Sequence, residues 1–382
     1  MKKVLCLLLL FSLCLTGGCR IREVNETVVA TALAADWDGE RMVVTAQLAR
    51  PGQGQQGGGG GQPSALVISE KGLTATDATR ALSLSIPRIP LWSHASLVVL
   101  GEGLAYQDLS LIADLLSRSV DIRKNALVVV SSQVTPEELL QAETPLEPYS
   151  GMGMQKMLRI QERQVGIYVP TTLHDFLAAL ATPGIDPLAP QVTVSKKGDR
   201  ELVQLSGMAV FRGRRQVGSL NERQSRGYRW MQPRLIQGGL FPIPFPHQPE
   251  KSIALELIRS RAHITPEISP TGIKMVIKIN AEGNFYEQTG RGEMLTAEKF
   301  AQLEREAEKE IAGQCRDCIK QAQELSSDIF GWGRMVESAD PRAWQEVAAD
   351  WERVFPGVES EVQVKFALRR TYLTDRSFEF KE

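Results

Sequence analysis

Residues 95–131 read ASLVVLGEGLAYQDLSLIADLLSRSVDIRKNALVVVS and contain two short apolar runs, Ala95–Leu100 and Ala126–Ser131. The segment between these runs, Leu104–Ser119, places its large aliphatic residues on one broad helical face. An amphipathic helix between two apolar runs predicts a strand–helix–strand unit. We therefore expect two parallel strands joined by a right-handed crossover.

Other predicted elements precede and follow this unit. The runs Thr27–Ala35 and Arg41–Ala49 are joined by Asp36-Trp37-Asp38-Gly39, and Asp-Gly between apolar runs predicts a hairpin. Helices are predicted over Thr74–Ile86, over a short segment beginning at Pro136 that Thr135 caps, over Met152–Glu162 and over Thr172–Ala181.

The second half of the chain combines long β-rich runs with one long helix. An apolar stripe at three- and four-residue steps predicts a helix over residues 297–329, capped by Thr296 and ended by Gly331 and Gly333. The other predicted elements are the strands Leu202–Phe211, Gln216–Leu220, Ser252–Thr265, Gly272–Glu282 and Glu361–Arg370, and the helix Pro341–Phe355.

These elements together predict an α+β or mixed α/β fold. We expect two to three small domains, each with a mostly antiparallel or mixed sheet and packed helices. Residues 51–63, PGQGQQGGGGGQP, are of low complexity and predict a flexible loop. A proline-rich exit over Thr182–Pro190 places a domain boundary near Lys196-Lys197-Gly198.

The first 19 residues, MKKVLCLLLLFSLCLTGGC, have the layout of a secretory signal. Their apolar run, Val4–Leu15, is too short to span a bilayer comfortably. A cysteine directly after small residues indicates a bacterial lipoprotein signal, in which Cys19 is lipidated and becomes the mature N-terminus. Thr16 stands where such signals usually have leucine, so an ordinary signal cleaved nearby and an uncleaved anchor stay open as alternatives.

The charge balance gives no reason to expect a nucleic-acid partner. After Cys19, 42 basic and 45 acidic residues leave a formal charge of −3. Residues Arg212 to Arg234 differ from this average, with seven arginines, interleaved aromatic residues and Glu222 as the one acid. We expect them to form a solvated basic face of a sheet; contact with anionic headgroups or with nucleic acid are the alternatives.

Two cysteines, Cys315 and Cys318, follow the signal, and a disulfide framework is therefore excluded. A redox Cys-x-x-Cys pair lies at the start of a helix, whereas this pair lies about five turns into the predicted one. We expect buried core thiols, with a structural disulfide and a catalytic redox pair as alternatives. No further residues have the spacing of zinc ligands, so no metal site is predicted.

No catalytic constellation is recognisable in this sequence. The histidines are scattered, and there is no Gly-x-Ser-x-Gly elbow. We therefore predict no catalytic or cofactor-binding residue and favour a binding or scaffolding protein over an enzyme. The histidines, each expected to be structural or on the surface, are His94, His174, His247 and His263.

Short motifs spread along the chain carry a family resemblance. In their order they resemble the C subunits of Ger-type spore germinant receptors, the Ger(x)C family of lipoproteins in endospore-forming Firmicutes. The motifs are Trp92-Ser93-His94, Leu100-Gly101-Glu102, Leu104-Ala105, Asp114, Arg118, Arg123, Gly207-Met208-Ala209-Val210-Phe211, Gly218-Ser219-Leu220, Arg226-Gly227, Asp328-Ile329-Phe330-Gly331-Trp332-Gly333, Trp344, Asp350-Trp351 and Phe355.

The resemblance implies a location, partners and a domain division. The protein would lie on the outer face of the spore inner membrane, held by a diacylglyceryl group and an acyl chain such as palmitate on Cys19. It would assemble with integral-membrane A and B subunits into a receptor for small nutrients, without being an enzyme. The family's fold implies three small domains, mapped here to 20–195, 200–250 and 251–382 after the signal 1–19.

Two alternatives to a germinant-receptor subunit stay open. One is a membrane-tethered solute-binding lipoprotein that captures the nutrient itself, which predicts a deep interdomain cleft. The other is an extracytoplasmic thiol oxidoreductase that uses Cys315 and Cys318.

Overall fold

The computed structural model describes residues 24–50, 65–245, 248–289 and 297–371, which form two β-sheets with packed helices. This architecture confirms the predicted mixed α/β class. Cys19 and the predicted loop 51–63 lie outside the described residues. The strands of the first sheet are β1 (Thr27–Trp37), β2 (Met42–Ala49), β3 (Ala65–Gly72), β4 (Ile89–Leu91), β5 (Leu97–Leu100), β6 (Leu127–Ser131), β7 (Thr171–Thr172), β8 (Leu188–Lys197), β9 (Arg200–Arg212) and β10 (Arg215–Leu220).

The first sheet is parallel at its centre and antiparallel towards both edges. Its order is β10-β9-β8-β6-β5-β1-β2-β3, with β4 beside β1 and β7 beside β6. Leu97 of β5 lies opposite Ala32 of β1 and Leu127 of β6, in parallel register with both. The predicted strand–helix–strand unit is therefore confirmed. Its strands are apolar along their length because separate clusters of buried side chains cover the two faces.

Threonine side chains begin three of the predicted helices. Thr74, Thr135 and Thr172 each accept a hydrogen bond from the amide three residues later, and Thr135 forms a capping box with Glu138. The helices are α1 (Ala75–Ser85), α2 (Glu102–Gln107), α3 (Ser110–Arg118), α4 (Pro136–Gln141), α5 (Ser150–Gln164), α6 (Leu173–Ala181), α7 (Glu222–Trp230), α8 (Ala297–Glu324), α9 (Trp332–Ala339), α10 (Pro341–Val347) and α11 (Trp351–Val354).

The helix predicted over Leu104–Ser119 is two helices, α2 and α3. Asp108 is extended, and its carboxylate accepts the Ser110 amide at 2.8 Å. The amide of Leu109 donates to the carbonyl oxygen of Arg214 at 2.9 Å. The helix is therefore interrupted by a contact with the turn between β9 and β10, which apolar periodicity does not encode.

The second sheet is built on a long hairpin. Its order is β11-β12-β13-β14, and β14 joins β13 in parallel. Carboxylates of α8 cover the outer edge of β14, where Glu308 accepts the amide of Phe366 at 3.0 Å and Glu304 that of Leu368 at 2.9 Å. The strands are β11 (Leu240–Phe245), β12 (Gln248–Ser269), β13 (Gly272–Gln288) and β14 (Glu359–Leu368).

The predicted domain boundaries both fall within paired strands. Near Lys196-Lys197-Gly198 the chain turns from β8 into β9, and these strands pair antiparallel up to Lys197 opposite Arg200. The cut between residues 250 and 251 lies inside β12, so the residues on either side of it belong to one strand. The division into three domains stays a prediction.

The long helix α8 ends at Glu324 and not at the predicted Ile329. Ser326 is left-handed with φ 50°, and the Ser327 amide donates to the carbonyl oxygen of Ala322 at 2.9 Å. Gly331, with φ 71°, precedes α9 and does not end α8. The 28 residues of α8 span about 42 Å.

The helix predicted over Pro341–Phe355 is likewise interrupted. A 3₁₀ turn over Ala348–Asp350 separates α10 from α11. Asp340 caps α10 by accepting the Ala343 amide at 3.1 Å. Both Trp344 and Trp351 turn inward, and their rings meet edge to face at 5.4 Å. The tighter turn lets one short segment bury both indoles.

One large apolar core joins the two sheets. Met208 and Val210 of the first sheet belong to the same buried cluster as Met275 and Ile277 of the second. The inner face of α8 completes this cluster. Among the helices of the described residues, none has both the length and the apolar character that a membrane span requires.

Replacing Gly227 with alanine should destabilise the fold. A Cβ at Gly227 would lie 2.1 Å from the carbonyl oxygen of Gln314 in α8, so α7 and α8 would have to separate. Over-packing of this kind costs about 1–3 kcal/mol. Gly357→Ala is the matched control because a Cβ there meets nothing within 4 Å. Urea unfolding of both variants measures the difference, and equal midpoints would contradict the prediction.

Candidate functional site

The two sheets are tied together around Asp328, which lies between α8 and α9. The Asp328 amide donates to Asp186 Oδ2 at 2.8 Å, and the Asp186 amide donates to the Asp328 carbonyl oxygen at 2.8 Å. Asp186 Oδ1 also accepts the amide of Gly213 at 2.7 Å. The hydroxyl of Ser327 donates to the carbonyl oxygen of Phe211 at 2.5 Å. These bonds connect the loops before β8 and after β9 to the end of α8.

The side chain of Asp328 is buried and fully engaged by N–H donors. Its Oδ1 accepts the Trp332 amide at 3.0 Å. Its Oδ2 accepts the Gly333 amide at 2.8 Å and the indole N–H of Trp351 at 3.0 Å. The two amides belong to the first turn of α9, where donors lack partners within the helix. The carboxyl group of Asp328 therefore holds α9 and α11, while its main chain holds the loop of Asp186; we call this arrangement the Asp328 joint.

Burial dominates the electrostatics of this joint. It raises the pKa of the Asp328 carboxyl to about 7, although the three N–H donors favour the charged form. Burial also raises the pKa of Asp186 above its ordinary value. At the outer rim, Arg212 pairs with Glu352 at 3.0 Å. The Asp328 carboxyl therefore has a pKa close to neutral pH.

An aromatic cluster packs beside the Asp328 joint. Trp332 is fully buried, stacks on Phe330 at 5.0 Å and meets Phe355 at 5.6 Å. Trp351 lies 6.3 Å from Phe355 and 5.4 Å from Trp344. Ring pairs at such distances add about 0.5–1.5 kcal/mol each beyond area burial. The Trp and Phe residues of the motifs after Asp328 are therefore packing residues beside one buried carboxyl group.

Close backbone contact explains two glycines at this joint. A Cβ on Gly333 would lie 2.6 Å from the Cα of Gly184, and Gly184 has φ 77°. A side chain at either position would separate α9 from the loop after α6.

Two buried arginines of α7 form a second joint between the sheets. Arg226 donates to the carbonyl oxygens of Val165 at 3.3 Å and Leu240 at 2.8 Å. Arg229 donates from one terminal nitrogen to three further carbonyl oxygens. Burial lowers the pKa of Arg229 to about 10, so it stays charged at neutral pH. The acceptors for Arg229 are Glu162 at 3.0 Å, Gln237 at 3.1 Å and Gly238 at 2.8 Å.

The expectation of a solvated basic face over Arg212–Arg234 is therefore wrong for its central residues. Arg226 and Arg229 are 9% and 3% exposed and use their donors inside the protein. Several outer arginines are in ion pairs across the fold, which leaves less free positive charge than the sequence indicates. These pairs are Arg212–Glu352, Arg214–Asp108, Arg223–Glu310, Arg223–Asp317 and Arg234–Glu162.

Cys315 and Cys318 are fully buried in α8 against α7, and both are free thiols. The thiol of Cys315 donates to the carbonyl oxygen of Gly227 at 3.8 Å. Burial raises the pKa of both thiols, which disfavours the thiolate that redox chemistry needs. Their arrangement favours the interpretation as core thiols over a disulfide or a redox pair.

The described part of the chain contains no cluster of histidine, cysteine and carboxylate side chains that could hold a metal ion. Three of the histidines are exposed and lie on separate elements, and His247 lies outside the described residues; the exposed ones are His94 in a 3₁₀ turn, His174 in α6 and His263 in β12. A hollow of about 410 Å³ lies beside the Asp328 joint and is bordered by Asp186, Arg212 and Trp351. The hydrogen bonds and packed rings of the two joints can hold the two sheets together, and the outer surfaces can bind a partner.

Asp186 and the helix α7 were not predicted from the sequence. Asp186 lies in the proline-rich exit and acquires its role only from Gly213 and Asp328, which are 27 and 142 residues away. For α7 a local signal existed, because Asn221 and Gln224 form a capping box. That pattern, read together with Trp230, could have shown that the arginines lie on a helix with one buried face.

Asp328 should make the stability of the protein fall as pH rises. Its pKa rises on folding from 3.8 to about 7, so the folded state binds more protons between these values. Stability from this group is complete below about pH 4 and is lost by about pH 7, by at most about 1.4 kcal/mol per pH unit. Asp328→Asn removes this dependence.

Urea unfolding of wild type and Asp328→Asn at several pH values measures the difference between them. We expect wild type to lose stability relative to the variant from pH 4 to pH 7. A difference that is constant with pH would contradict the prediction. If the variant does not fold, the carboxyl chemical shift of Asp328 in the wild-type protein reports the same titration.

Arg229→Ala should lower the free energy of unfolding far more than replacement of a surface arginine from the same stretch does. It removes a buried guanidinium group and leaves three partly buried carbonyl oxygens without their donor, where a fully buried loss costs about 1–3 kcal/mol each. Arg214→Ala is the control because its ion pair with Asp108, at 3.7 Å, is exposed and contributes less than about 1 kcal/mol. Thermal unfolding measures the stability of both variants. Similar losses of stability would contradict the role of Arg229 in the second joint.

Comparison with known protein families gives two matches in consecutive order. The family described as "Spore germination protein N-terminal domain" matches residues 20–194. The family described as "Spore germination B3/ GerAC like, C-terminal" matches residues 206–372. Both joints connect the regions covered by these two matches.

Individual relatives match over almost the whole length. Spore germination protein KC of Bacillus subtilis (strain 168) is 24% identical over 97% of this chain and 96% of its own length. Putative spore germination protein YfkR of the same organism is 25% identical over 95% of each chain. The crystal structure of the GerBC protein has the same fold, with a TM-score of 0.58 at 17% identity over 88% of this chain and 96% of that one. The chain therefore belongs to the Ger(x)C family of spore germination proteins.

Proposed function

We propose that this chain is the lipid-anchored C subunit of a nutrient germinant receptor and acts without catalysis. The observation that carries the proposal is the match of both family models along residues 20–372. The first match begins at residue 20, directly after Cys19, which would become the mature N-terminus when a lipoprotein signal is cleaved before it. The mature protein would then lie on the outer face of the spore inner membrane.

The structure supports assembly as the mode of action. Of the motif residues in the second half of the chain, Asp328, Trp332, Trp344, Trp351 and Phe355 are buried and serve packing, so they present no reactive group to solvent. Two buried joints and a common core hold the sheets in one arrangement. Such a body suits a scaffold whose outer surfaces contact the integral-membrane A and B subunits.

Cys19→Ala should release the protein from the membrane and reduce germination in response to nutrients. Without the cysteine no lipid can be attached, and a single apolar anchor of this kind supplies the attachment. Fractionation of spore membranes and the germination rate measure the two effects. Cys14→Ala, within the signal itself, is the matched control and should leave both unchanged.

Affinity capture of the wild-type chain from solubilised spore membranes should recover both integral subunits. Normal membrane retention and normal germination in Cys19→Ala would contradict the anchoring role. Recovery of neither subunit by the wild-type chain would contradict assembly.

A tethered solute-binding lipoprotein is the second candidate. The hollow of about 410 Å³ between the sheets favours it, because the Arg212–Glu352 ion pair at its rim offers one charge of each sign. A free amino acid carries the same two charges. Calorimetry with a panel of amino acids and sugars tests this candidate, and no heat of binding with any of them counts against it.

A further inference from the structure

We propose that one outer surface of this protein is a contact between two copies of the chain. The surface consists of the turn Thr144–Glu147 and of the groove beside it, which lies between α5 and the strands β8 and β9. We call the turn and the groove together the Leu146 face. The inference goes beyond the proposed function and does not depend on the lipid anchor.

The turn holds an apolar side chain out into solvent. The amide of Glu147 donates to the carbonyl oxygen of Thr144 at 3.1 Å, so Pro145 and Leu146 occupy the two central positions. Leu146 has φ 69°, a left-handed conformation for which a turn usually has glycine at this position. Its side chain is 100% exposed. The leucine therefore strains the backbone and gains no burial within its own chain in return.

Both sides of the turn are fixed to the fold. Before the turn, the amide of Glu143 donates to the carbonyl oxygen of Glu201 at 3.0 Å, and the carbonyl oxygen of Glu143 accepts the amide of Val203 at 3.1 Å. After the turn, Glu147 pairs with Lys156 of α5 at 2.5 Å. The exposed leucine is thus presented on a rigid support, which reduces the entropy that binding would cost.

The groove beside the turn has a volume of about 620 Å³ and is lined mainly by apolar side chains. Met157, Ile167 and Leu205 contribute to its lining, together with two exposed residues. These are Ile160, which is 60% exposed, and Val165, which is 41% exposed. A protruding leucine and an apolar groove therefore form one continuous surface, and such surfaces mark sites of interaction.

One end of the groove carries the leucine and a positive charge. Leu202 of β9 forms a bridge with Glu143, just before the turn, and thereby places the turn at this end. Lys197 lies opposite Arg200 at the tip of the hairpin of β8 and β9. Lys197 is exposed and forms no ion pair with any residue that the structure describes. We call this the Leu146 end.

The other end of the groove carries a negative charge. α5 runs along the groove away from the Leu146 end, and Val165 follows its last residue. Arg226 donates to the carbonyl oxygen of Val165 at 3.3 Å and pairs with Glu222 at the same distance. The side chain of Glu222 is 61% exposed, so its carboxylate is open to a partner. We call this the Val165 end.

These two ends favour a second copy of the chain over an unrelated protein as the occupant. A two-fold axis through the middle of the groove reverses its direction, so the Leu146 end of one copy meets the Val165 end of the other. Each Leu146 then enters the other copy's groove beside Ile160 and Val165, and each Lys197 faces Glu222 of the other copy. The Leu146 face is therefore complementary to itself in both shape and charge.

Sedimentation of the full chain in detergent at several concentrations measures the dissociation constant of the dimer. Leu146→Gly should raise this constant at least about tenfold, because each dimer loses two apolar anchors. Glycine adopts a φ of 69° without strain, so the variant should unfold at the same urea concentration as wild type or at a higher one.

Val120→Ala is the matched control for the loss of an exposed apolar side chain. Val120 is 95% exposed and borders neither the turn nor the groove, so the dissociation constant should not change. All three proteins carry the same N-terminal segment. Association caused by that segment alone would therefore be equal in all of them.

Reversing one charge tests the pairing of the two ends. Lys197→Glu places an acid opposite Glu222 of the other copy and should raise the dissociation constant at least about threefold. Lys196→Glu is the control, because neighbouring residues of a strand point to opposite faces and Lys196 does not border the groove. Equal effects of the two changes would overturn the pairing of the ends.

Cross-linking locates the contact. Chains with Leu146→Cys are mixed with chains that carry Ile160→Cys and are treated with a short bismaleimide; Cys315 and Cys318 are buried and do not compete. We expect the cross-link between positions 146 and 160 in the mixture to exceed the cross-linking of either chain alone. Predominant cross-linking of position 146 to itself overturns the proposed arrangement.

A wild-type chain that stays monomeric at every concentration overturns the proposal, and so does a dimer that Leu146→Gly leaves intact. Affinity capture from solubilised spore membranes separates the remaining occupants. If wild type is monomeric and Leu146→Gly no longer recovers the integral subunits, the Leu146 face belongs to those subunits and the contact between two copies is refuted.

Discussion

A buried carboxyl group must find donors within the protein, and this requirement organises the contact between the two sheets. Asp328 is 2% exposed, and its carboxyl oxygens are satisfied only if the first turn of α9 and the indole of Trp351 in α11 are in place. Its main chain bonds the loop of Asp186 and so reaches the first sheet. Leaving a buried polar group unpaired costs about 1–3 kcal/mol, more when it is charged. The aromatic rings and the Gly184–Gly333 contact therefore follow from the need to close the structure around this group.

The second joint applies the same requirement with the charge reversed. The guanidinium groups of Arg226 and Arg229 are buried by α7 and are satisfied by carbonyl oxygens from both sides of the contact. An arginine suits this role because its planar group donates in several fixed directions at once. One joint uses an acceptor surrounded by donors, and the other uses donors surrounded by acceptors. Neither tolerates sliding of one sheet over the other.

The sequence predicted what depends on neighbours in the chain and failed where distant residues decide. The cap at Thr135, the parallel unit and the two long strands of the second sheet all carry local signals. The end of α8 before Asp328 and the turn between α10 and α11 depend on contacts with the first sheet and on the packing of two indoles. For the same reason, the seven arginines within residues 212–234 predicted a solvated surface, although the central ones are buried. The order of the short motifs along the chain was enough to predict the family.

The shared core bears on the choice between the two proposed functions. A solute-binding protein that closes around its ligand needs a hinge and a contact between its halves that can open. Here Met208 and Val210 of one sheet belong to the same buried cluster as Met275 and Ile277 of the other, and two satisfied polar joints flank that cluster. Opening the sheets would expose apolar area and unpair buried groups together. A body built this way keeps one shape, so its function is best served by its outer surfaces. The shared core therefore favours the proposed scaffold, which partners would recognise at the membrane, over a solute-binding protein that opens and closes around a nutrient.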